Sequence, residues 1–202
     1  MWPTTWLRDW LTQADLPQHA DLIFVMAGRR ARKIYALELF KQGFAPRLLL
    51  SVARFEIRRL GKLDLPVPLD LLAIASPVPP PERHFFASFE RGRCDVERIP
   101  LGTFGTLSEI QALAIWLAPR ANIRSLLIIS SGTHLRRVRM CCRFLLPRRL
   151  ELRFVASPAA RMEKETEPSI FGELLKLPLY RIVLLGRRPA ARVRSFRISP
   201  RP

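Results

Sequence analysis

The sequence predicts an α/β protein in which a mainly parallel sheet lies between two layers of helices. The run DLIFVMAG (21–28) is almost wholly apolar and ends in glycine, as expected of a strand that is buried on both faces. Residues 29–42 then repeat apolar side chains at helical spacing (Ile34, Leu37, Phe40), and RLLLSV (47–52) is a second short apolar run. Strand, helix and strand in this order form the repeating unit of a parallel sheet, so we expect a three-layer, Rossmann-like sandwich.

The composition is that of one folded domain. A chain of 202 residues with 49% apolar and 25% charged side chains can bury a substantial core. No apolar run reaches the roughly 18–20 residues that cross a bilayer, and the N-terminal sequence lacks the pattern of a secretory signal. The three cysteines have neither disulfide-framework nor metal-ligand spacing. We therefore expect a cytoplasmic protein with reduced cysteines, no transmembrane segment and no metal site.

The two ends of the chain differ in composition from its middle. Residues 1–19 begin with three tryptophans on one helical face, which predicts an N-terminal helix packed on the domain; a membrane-surface or partner-binding helix is the alternative. Residues 20–186 form the α/β domain. Residues 187–202 contain many arginines and prolines and no acidic side chain, which predicts a loose basic tail. The tryptophans are Trp2, Trp6 and Trp10.

The net charge of +17 comes mostly from arginine. A field of this sign attracts nucleic acid, acidic membrane surfaces and anionic metabolites. We expect the basic tail to contribute weak binding to nucleic acid or to an acidic membrane surface.

The middle of the chain has weaker signals. Residues 54–61 have the pattern of a short helix, and DLLAIAS (70–76) that of a strand. Six prolines lie within residues 66–81, which favours a surface connection. CDVERIPL (94–101) alternates like a strand.

The second half of the chain alternates helices and strands again. Residues 102–119 start with turn residues and continue as a helix, with Thr106 and Glu109 at capping-box spacing. SLLIISS (125–131) is the clearest central strand. The next helix should bury Leu135, Val138, Cys142 and Leu145 and leave Arg136, Arg139 and Arg143 as a solvated row. LELRFVAS (150–157) should be a strand near the sheet edge. SIFGELLKLPLY (169–180) should be a helix that Pro178 interrupts.

Small polar and basic residues collect where the predicted strands end. In an open parallel sheet, ligands bind beyond the carboxyl ends of the strands, where helix N-termini direct N–H groups outward. Hydroxyls and guanidinium groups hydrogen-bond phosphate and carboxylate. Neither the dinucleotide-binding fingerprint nor a P-loop is present. The predicted ligand-binding residues are Gly28, Arg29, Arg30, Ser51, Thr103, Thr106, Ser130, Ser131, His134 and Arg137.

Two residues of this region have side chains suited to proton transfer. His134 follows the strand end SSGT, where the helix dipole disfavours the imidazolium form. Glu109 lies in the preceding helix. Each has a structural alternative, because a helix-start histidine is often a packing residue and a glutamate three residues after a threonine is often a cap. His134 and Glu109 are therefore the candidate catalytic residues, with a structural role as the alternative.

The order of these motifs resembles a known family. DLIFVMAG, then GFAPRLLLS, then the T-x-x-E spacing before a helix and finally SSGTHLRRV together resemble the YdcF-like family, which includes SanA- and ElyC-type envelope proteins. The resemblance covers roughly residues 20–56 and 94–180. The late GELLKLPLY (172–180) resembles the family's closing Glu…Lys…Tyr helix.

The resemblance matches Ser130, Ser131, His134 and Arg137 to the family's strand end and His-x-x-Arg segment. It implies the same architecture, a bacterial origin, a nucleotide-like or S-adenosylmethionine-like ligand and a link to envelope metabolism. The chain departs from the family after the second strand: the family usually has Ser-Gly-Gly there, and this chain has Ser51 followed by Val52 and Ala53. The first function hypothesis is binding of an anionic small molecule at the strand ends, with enzymatic activity left open. The alternative is an Arg-rich protein that binds nucleic acid or an acidic lipid surface.

Overall fold

The computed structural model describes residues 10–100, 102, 105–158, 167–186 and 196–198. Within these residues, one sheet contains seven strands. The strands are β1 (Leu22–Val25), β2 (Arg47–Ala53), β3 (His84–Glu90), β4 (Arg93–Arg98), β5 (Ser125–Ser130), β6 (Glu151–Ala156) and β7 (Phe196–Ile198). Their order across the sheet is β6-β5-β1-β2-β3-β4-β7, with parallel pairing from β6 to β2 and antiparallel pairing from β2 to β7.

Helices cover both faces of this sheet. They are α1 (Arg30–Lys41), α2 (Ile57–Leu60), α3 (Leu71–Ala75), α4 (Gly105–Leu117), α5 (Gly132–Leu145) and α6 (Glu167–Gly186), with short 3₁₀ turns at Arg54–Glu56 and Pro80–Glu82. The predicted three-layer α/β architecture is confirmed.

Alternating side chains of the strands feed two separate cores. In β1, Leu22 and Phe24 pack in the core beneath α4, α5 and α6, whereas Ile23 and Val25 pack in the core beneath α1, α2 and α3. This is why the strand reads as a continuous apolar run, because both of its faces are covered. The inward side of α5 is as predicted, with Leu135 and Val138 fully buried.

The segment predicted to be a strand at residues 70–76 is instead the short helix α3. The Asp70 carboxylate accepts a hydrogen bond from the backbone N–H of Ala73 at 3.1 Å and so caps the helix. Leu71 and Ala75, four residues apart, are its buried residues. The prediction was wrong because a short apolar run fits both a buried strand and one helical face.

A strand that the sequence analysis did not predict, β3, extends the sheet. It pairs with β2 along seven residues and with β4 through the two-residue turn at Arg91 and Gly92. Both turn residues have positive φ angles, +48° and +74°, which is the conformation of a type I′ hairpin turn. The unpredicted hairpin adds an antiparallel region beside the four parallel strands.

Other differences from the sequence predictions concern the later part of the chain. Helix α6 runs through Pro178 without interruption. In the segment predicted to be a loose tail, Phe196–Ile198 form strand β7 against β4. At the other end of the chain, Trp2 and Trp6 lie outside the described residues.

Two of the three arginines predicted to form a solvated row, Arg136 and Arg139, are partly covered. The guanidinium of Arg136 lies 3.3 Å from the centre of the Trp10 ring, and Arg139 donates to the Asp15 carboxylate at 3.3 Å. Asp15 also makes two hydrogen bonds to β6, because its N–H donates to the carbonyl of Phe154 at 2.7 Å and its carboxylate accepts from the Phe154 N–H at 2.7 Å. The prediction was wrong for Arg136 and Arg139, because the segment before β1 packs across α5, whereas Arg143 is exposed as predicted.

A buried ion pair fixes α1 to the segment that follows β2. The ammonium of Lys33 contacts the carboxylate of Glu56, and both side chains are almost fully buried. The other carboxylate oxygen of Glu56 accepts a hydrogen bond from the backbone N–H of Ala53 at 2.9 Å. Burial lowers the pKa of Lys33, and the neighbouring Glu56 opposes that effect.

We expect Glu56→Gln to lower the free energy of unfolding by about 3–5 kcal/mol, because it leaves a buried ammonium without its counter-charge. The double variant Lys33→Met with Glu56→Gln should recover most of that loss, since no uncompensated charge remains. Urea denaturation of the three proteins measures the difference. A double variant no more stable than Glu56→Gln would contradict the charge-pairing explanation.

Candidate functional site

The turn after β1 requires glycine at position 28. Gly28 has φ +128°, which L-residues rarely adopt, and a Cβ atom added there would lie 3.0 Å from a guanidinium nitrogen of Arg32. The glycine therefore lets the chain turn from β1 into α1 while the Arg32 side chain passes against the backbone.

The Arg32 guanidinium joins two strand ends. Its Nη1 donates to the carbonyl of Ala27 at 2.7 Å, and its Nη2 donates to the hydroxyl of Ser131 at 2.8 Å. The side chain is buried, and its Nε has no hydrogen-bond partner within the described residues. Arg32 thus connects the end of β1 with the start of α5 and keeps one N–H available.

Glu109, from α4, forms a hydrogen bond with the backbone of the same turn. Its carboxylate accepts a hydrogen bond from the backbone N–H of Ala27 at 2.7 Å, and only 5% of the residue is exposed. Burial raises the pKa of Glu109, whereas the hydrogen bonds from Ala27 and Ser51 and the charges of Lys33 and Arg32 act in the opposite direction. Glu109 therefore connects α4 to the end of β1 and lies near the basic residues of α1, whose charges partly offset the effect of burial.

Ser51 and His84 extend this polar group along β2 and β3. The Ser51 hydroxyl lies 2.7 Å from Nε2 of His84. Burial and the nearby Lys33 charge lower the pKa of His84 to about 4, so the ring is neutral at pH 7. Its Nδ1 has no partner in the part of the chain that the structure describes.

A second group, centred on Arg137, fastens α6 to α5. Nε and Nη2 of Arg137 donate to the two carboxylate oxygens of Glu173 at 2.9 and 3.0 Å, a bidentate ion pair. Nη1 donates to the hydroxyls of Thr106 and Tyr180, each at 3.0 Å. Burial raises the pKa of Glu173, but the charge and hydrogen bonds of Arg137, together with the nearby His134 ring, outweigh this effect and lower the pKa to about 2.

The neighbouring His134 is neutral and has a defined tautomer. Nη2 of Arg137 lies 2.6 Å from Nδ1 of His134, and because a guanidinium only donates, Nδ1 is the acceptor and Nε2 carries the hydrogen. Nε2 lies 3.5 Å from the Thr106 hydroxyl. Burial, followed by the Arg137 charge, lowers the pKa of His134 to about 4 against the opposing effect of Glu173.

Two buried hydroxyls lie at the carboxyl ends of β5 and β6. Ser130 and Ser157 are adjacent, since the N–H of Ser157 donates to the carbonyl of Ser130 at 3.0 Å. Both residues are almost completely buried, and neither hydroxyl has a hydrogen-bond partner among the described residues. Buried hydroxyls normally have partners, so this pair marks polar capacity that the described chain does not use.

Most of the predicted site residues meet at this edge, but with different roles. Arg29 and Arg30 are exposed, and Arg30 donates to the carbonyl of Lys62 at 3.1 Å instead of entering the edge. Thr103 lies outside the described residues. The residues brought together are Gly28, Ser51, Thr106, Glu109, Ser130, Ser131, His134 and Arg137.

The sequence analysis missed the basic residues that enter the edge. Arg32 and Lys33 share the buried side of α1 with Ala36 and Leu37, whereas Ile34, predicted to face inward, is 39% exposed. Helical spacing from Leu37 back to Lys33 was the signal that could have identified them. His84 was missed together with β3.

The predicted capping box of Thr106 and Glu109 is replaced by tertiary contacts. Helix α4 begins at Gly105, before the threonine. The Thr106 hydroxyl accepts from Arg137, and the Glu109 carboxylate accepts from Ala27. The spacing predicted a helix start correctly but not the partners of the two side chains.

Comparison with models of protein families, with curated proteins and with solved structures gives no significant match to this chain. The structure is that of a three-layer α/β protein with a buried polar centre at the carboxyl edge of its parallel strands. Among the described residues, no cluster of three or more His, Cys, Asp or Glu side chains has the arrangement of a metal site, and no helix is long and apolar enough to cross a membrane.

We expect Arg137→Ala to lower the free energy of unfolding by about 3–5 kcal/mol, because it leaves the Glu173 carboxylate buried without its counter-charge. Arg143→Ala, an exposed position on the same helix, should change stability by less than about 0.5 kcal/mol. Chemical denaturation measures both, and a cycle with Glu173→Gln should give a coupling energy above about 1 kcal/mol. Additive effects in that cycle would show that the pair does not hold α6.

Stability should fall as the pH is lowered from about 6.5 to about 4. His84 and His134 have folded-state pKa values of about 4, so in this window the unfolded chain binds protons that the folded protein resists. Each histidine contributes at most about 1.4 kcal/mol per pH unit. In the variant carrying His84→Gln and His134→Gln, urea denaturation between pH 4.5 and pH 7 should show a shallower dependence. Parallel curves for the two proteins would refute this origin of the pH dependence.

Proposed function

We propose that this protein binds a small molecule carrying a phosphate or carboxylate group at the carboxyl edge of its parallel strands. The observation that carries the proposal is the buried Ser130 hydroxyl, which has no partner within the described part of the chain and ends β5 directly before α5. The adjacent Ser157 hydroxyl and the Nε of Arg32 are also unpartnered there. Hydroxyl and guanidinium donors are the groups that bind oxyanions.

The start of α5 supports an anionic occupant. Ser131 is the N-cap residue of this helix, but its side chain makes no capping hydrogen bond, because its hydroxyl accepts from Arg32 instead. The first-turn N–H groups of α5 therefore lack this cap. An anion at the helix N-terminus would be stabilised by those groups and by the helix dipole.

The family resemblance refines the proposed ligand. The matched segment from Ser130 to Arg137 lies at this edge, and Glu173 and Tyr180 of the closing helix contact Arg137. We infer a YdcF-like bacterial protein linked to envelope metabolism, whose ligand is a nucleotide or S-adenosylmethionine. Described residues Cys94, Cys141 and Cys142 are free thiols, which agrees with a reducing, cytoplasmic environment.

The contacts of the candidate catalytic residues favour binding over catalysis. Glu109 is enclosed and hydrogen-bonded to the backbone of Ala27, and His134 accepts from Arg137. Both side chains thus hold the elements around the edge together. We therefore assign Glu109 and His134 positioning roles, and the proposed function is ligand binding.

Thermal-shift and calorimetric titrations with inorganic phosphate, AMP and S-adenosylmethionine test the proposal. At least one of these probes should bind saturably. Ser130→Ala should weaken that binding by about tenfold, because it removes a hydrogen bond to a charged group. The same variant should keep or raise the melting temperature, since the lost hydroxyl has no partner in the described chain.

Ser125→Ala is the matched control, because Ser125 begins the strand that Ser130 ends and its hydroxyl donates to Asp21 at 3.0 Å. It should leave the affinity for the probe unchanged. Absence of saturable binding by all three probes, or equal weakening by the two serine variants, would overturn the proposal.

A further inference from the structure

A groove with a volume of about 850 Å³ lies on the outside of the helical layer, between α5, α6 and Trp10. Apolar side chains such as Phe144, Leu177 and Leu184 form part of its wall. Four arginines also line it, and no acidic side chain does so among the described residues. The arginines, which we call the groove arginines, are Arg136, Arg139, Arg143 and Arg181.

Helix α6 presents an apolar ridge beside this groove. Four large apolar residues, spaced three or four positions apart, are between 48% and 76% exposed. That spacing places them along one side of the helix. Phe144 of α5, at the groove, is also 48% exposed. The residues of the α6 ridge are Leu175, Leu179, Ile182 and Leu185.

Part of the charge at the groove is unpaired. Arg139 is neutralised by Asp15, and Arg136 stacks on Trp10. Arg143 and Arg181 form no hydrogen bond or ion pair with any described residue. Exposed apolar side chains therefore lie beside positive charge that no described residue compensates, which is the pattern of an interaction site for an anionic amphiphilic partner.

We propose that the α6 ridge and the groove arginines dock the protein on an acidic lipid bilayer. Leucine and isoleucine side chains enter the boundary between headgroups and acyl chains, and the guanidinium groups of Arg143 and Arg181 contact the lipid phosphates. This surface does not depend on the anion site proposed above, because Arg32 and Ser130 are buried at the strand ends.

Two other occupants fit the surface less well. A second copy of the chain would bring the groove arginines of one protomer against those of the other in a symmetric contact, and like charges repel. Nucleic acid would satisfy the arginines through its phosphates but would leave the α6 ridge exposed to water. An acidic bilayer satisfies both the charge and the apolar side chains.

Co-sedimentation with vesicles of mixed phosphatidylglycerol and phosphatidylcholine tests the docking, with pure phosphatidylcholine vesicles as the comparison. The protein should bind the acidic vesicles and retain part of that binding in 0.5 M NaCl, where purely electrostatic attraction is screened. The variant carrying Leu179→Ser and Ile182→Ser should lose about tenfold or more of the salt-resistant partitioning, because less apolar surface enters the bilayer. Its control carries Phe55→Ser and Leu72→Ser, two exposed apolar positions of the opposite layer.

Charge is tested separately with the variant carrying Arg143→Gln and Arg181→Gln. It should bind acidic vesicles about thirtyfold more weakly at low salt, since two basic groups near the surface contribute on the order of 1 kcal/mol each. The variant carrying Arg58→Gln and Arg59→Gln loses the same charge at exposed positions elsewhere and should bind like the wild-type protein.

Several results would overturn the proposal. Equal binding to neutral and acidic vesicles would remove the role of charge, and equal losses in the ridge variant and its control would remove the role of the ridge. A melting temperature of the ridge variant many degrees below that of its control would show that other parts of this chain cover the ridge. Sedimentation as a dimer that the ridge variant dissociates would assign the surface to a second copy.

Discussion

The arrangement of the carboxyl edge of the sheet depends on two hydrogen bonds that the buried guanidinium of Arg32 donates. The guanidinium ties the Ala27 carbonyl at the end of β1 to the Ser131 hydroxyl at the start of α5. A Cβ atom at residue 28 would lie 3.0 Å from this guanidinium and at a positive φ, so a larger residue there would strain the turn and displace Arg32. Two neighbouring parallel strands therefore end in one fixed arrangement, and the polar groups around them are held before any ligand arrives.

Pairing of opposite charges lowers the free-energy cost of burying this arrangement in a low-dielectric environment. The cations Arg32, Lys33 and Arg137 are enclosed with the carboxylates of Glu56, Glu109 and Glu173. Burying one such charge alone costs several kcal/mol, whereas a paired and hydrogen-bonded group largely offsets that cost. The histidines of the edge are neutral, which adds no further charge. The Lys33–Glu56 pair joins α1 to the segment after β2, and the Arg137–Glu173 pair joins α5 to α6, so the site and the fold are stabilised by the same contacts.

The parallel strands could be predicted from the sequence, but the hydrogen-bond and ion-pair partners of the site's side chains could not. Continuous apolar runs identify strands buried on both faces, and strand ends locate Gly28, Ser51 and Ser130, because topology alone places them at one edge. The assignment of Ile34 to the inward face of α1 hid Arg32 and Lys33, since a helix with few apolar residues has a weakly defined face. Strand β3 was not predicted, because a proline-rich segment precedes it and the only sequence signal of the hairpin was Gly92. Arg137 was predicted as a ligand-binding residue, whereas the structure pairs it with Glu173, and a contact across 36 residues has no local signature in the sequence.

The same balance of buried charge locates the excess charge of the chain. Because the enclosed cations are matched by enclosed carboxylates, the edge of the sheet contributes little to the net charge of +17. Among the described residues, Arg143 and Arg181 carry part of that excess on the surface, beside the exposed leucines of α6. A buried site that recognises one small anion through fixed donors and an outer surface that attracts extended anionic partners use arginine for different physical purposes. The first depends on geometry and low dielectric, and the second on unpaired charge beside apolar area. The basic composition alone could not distinguish them, and the burial of each arginine does.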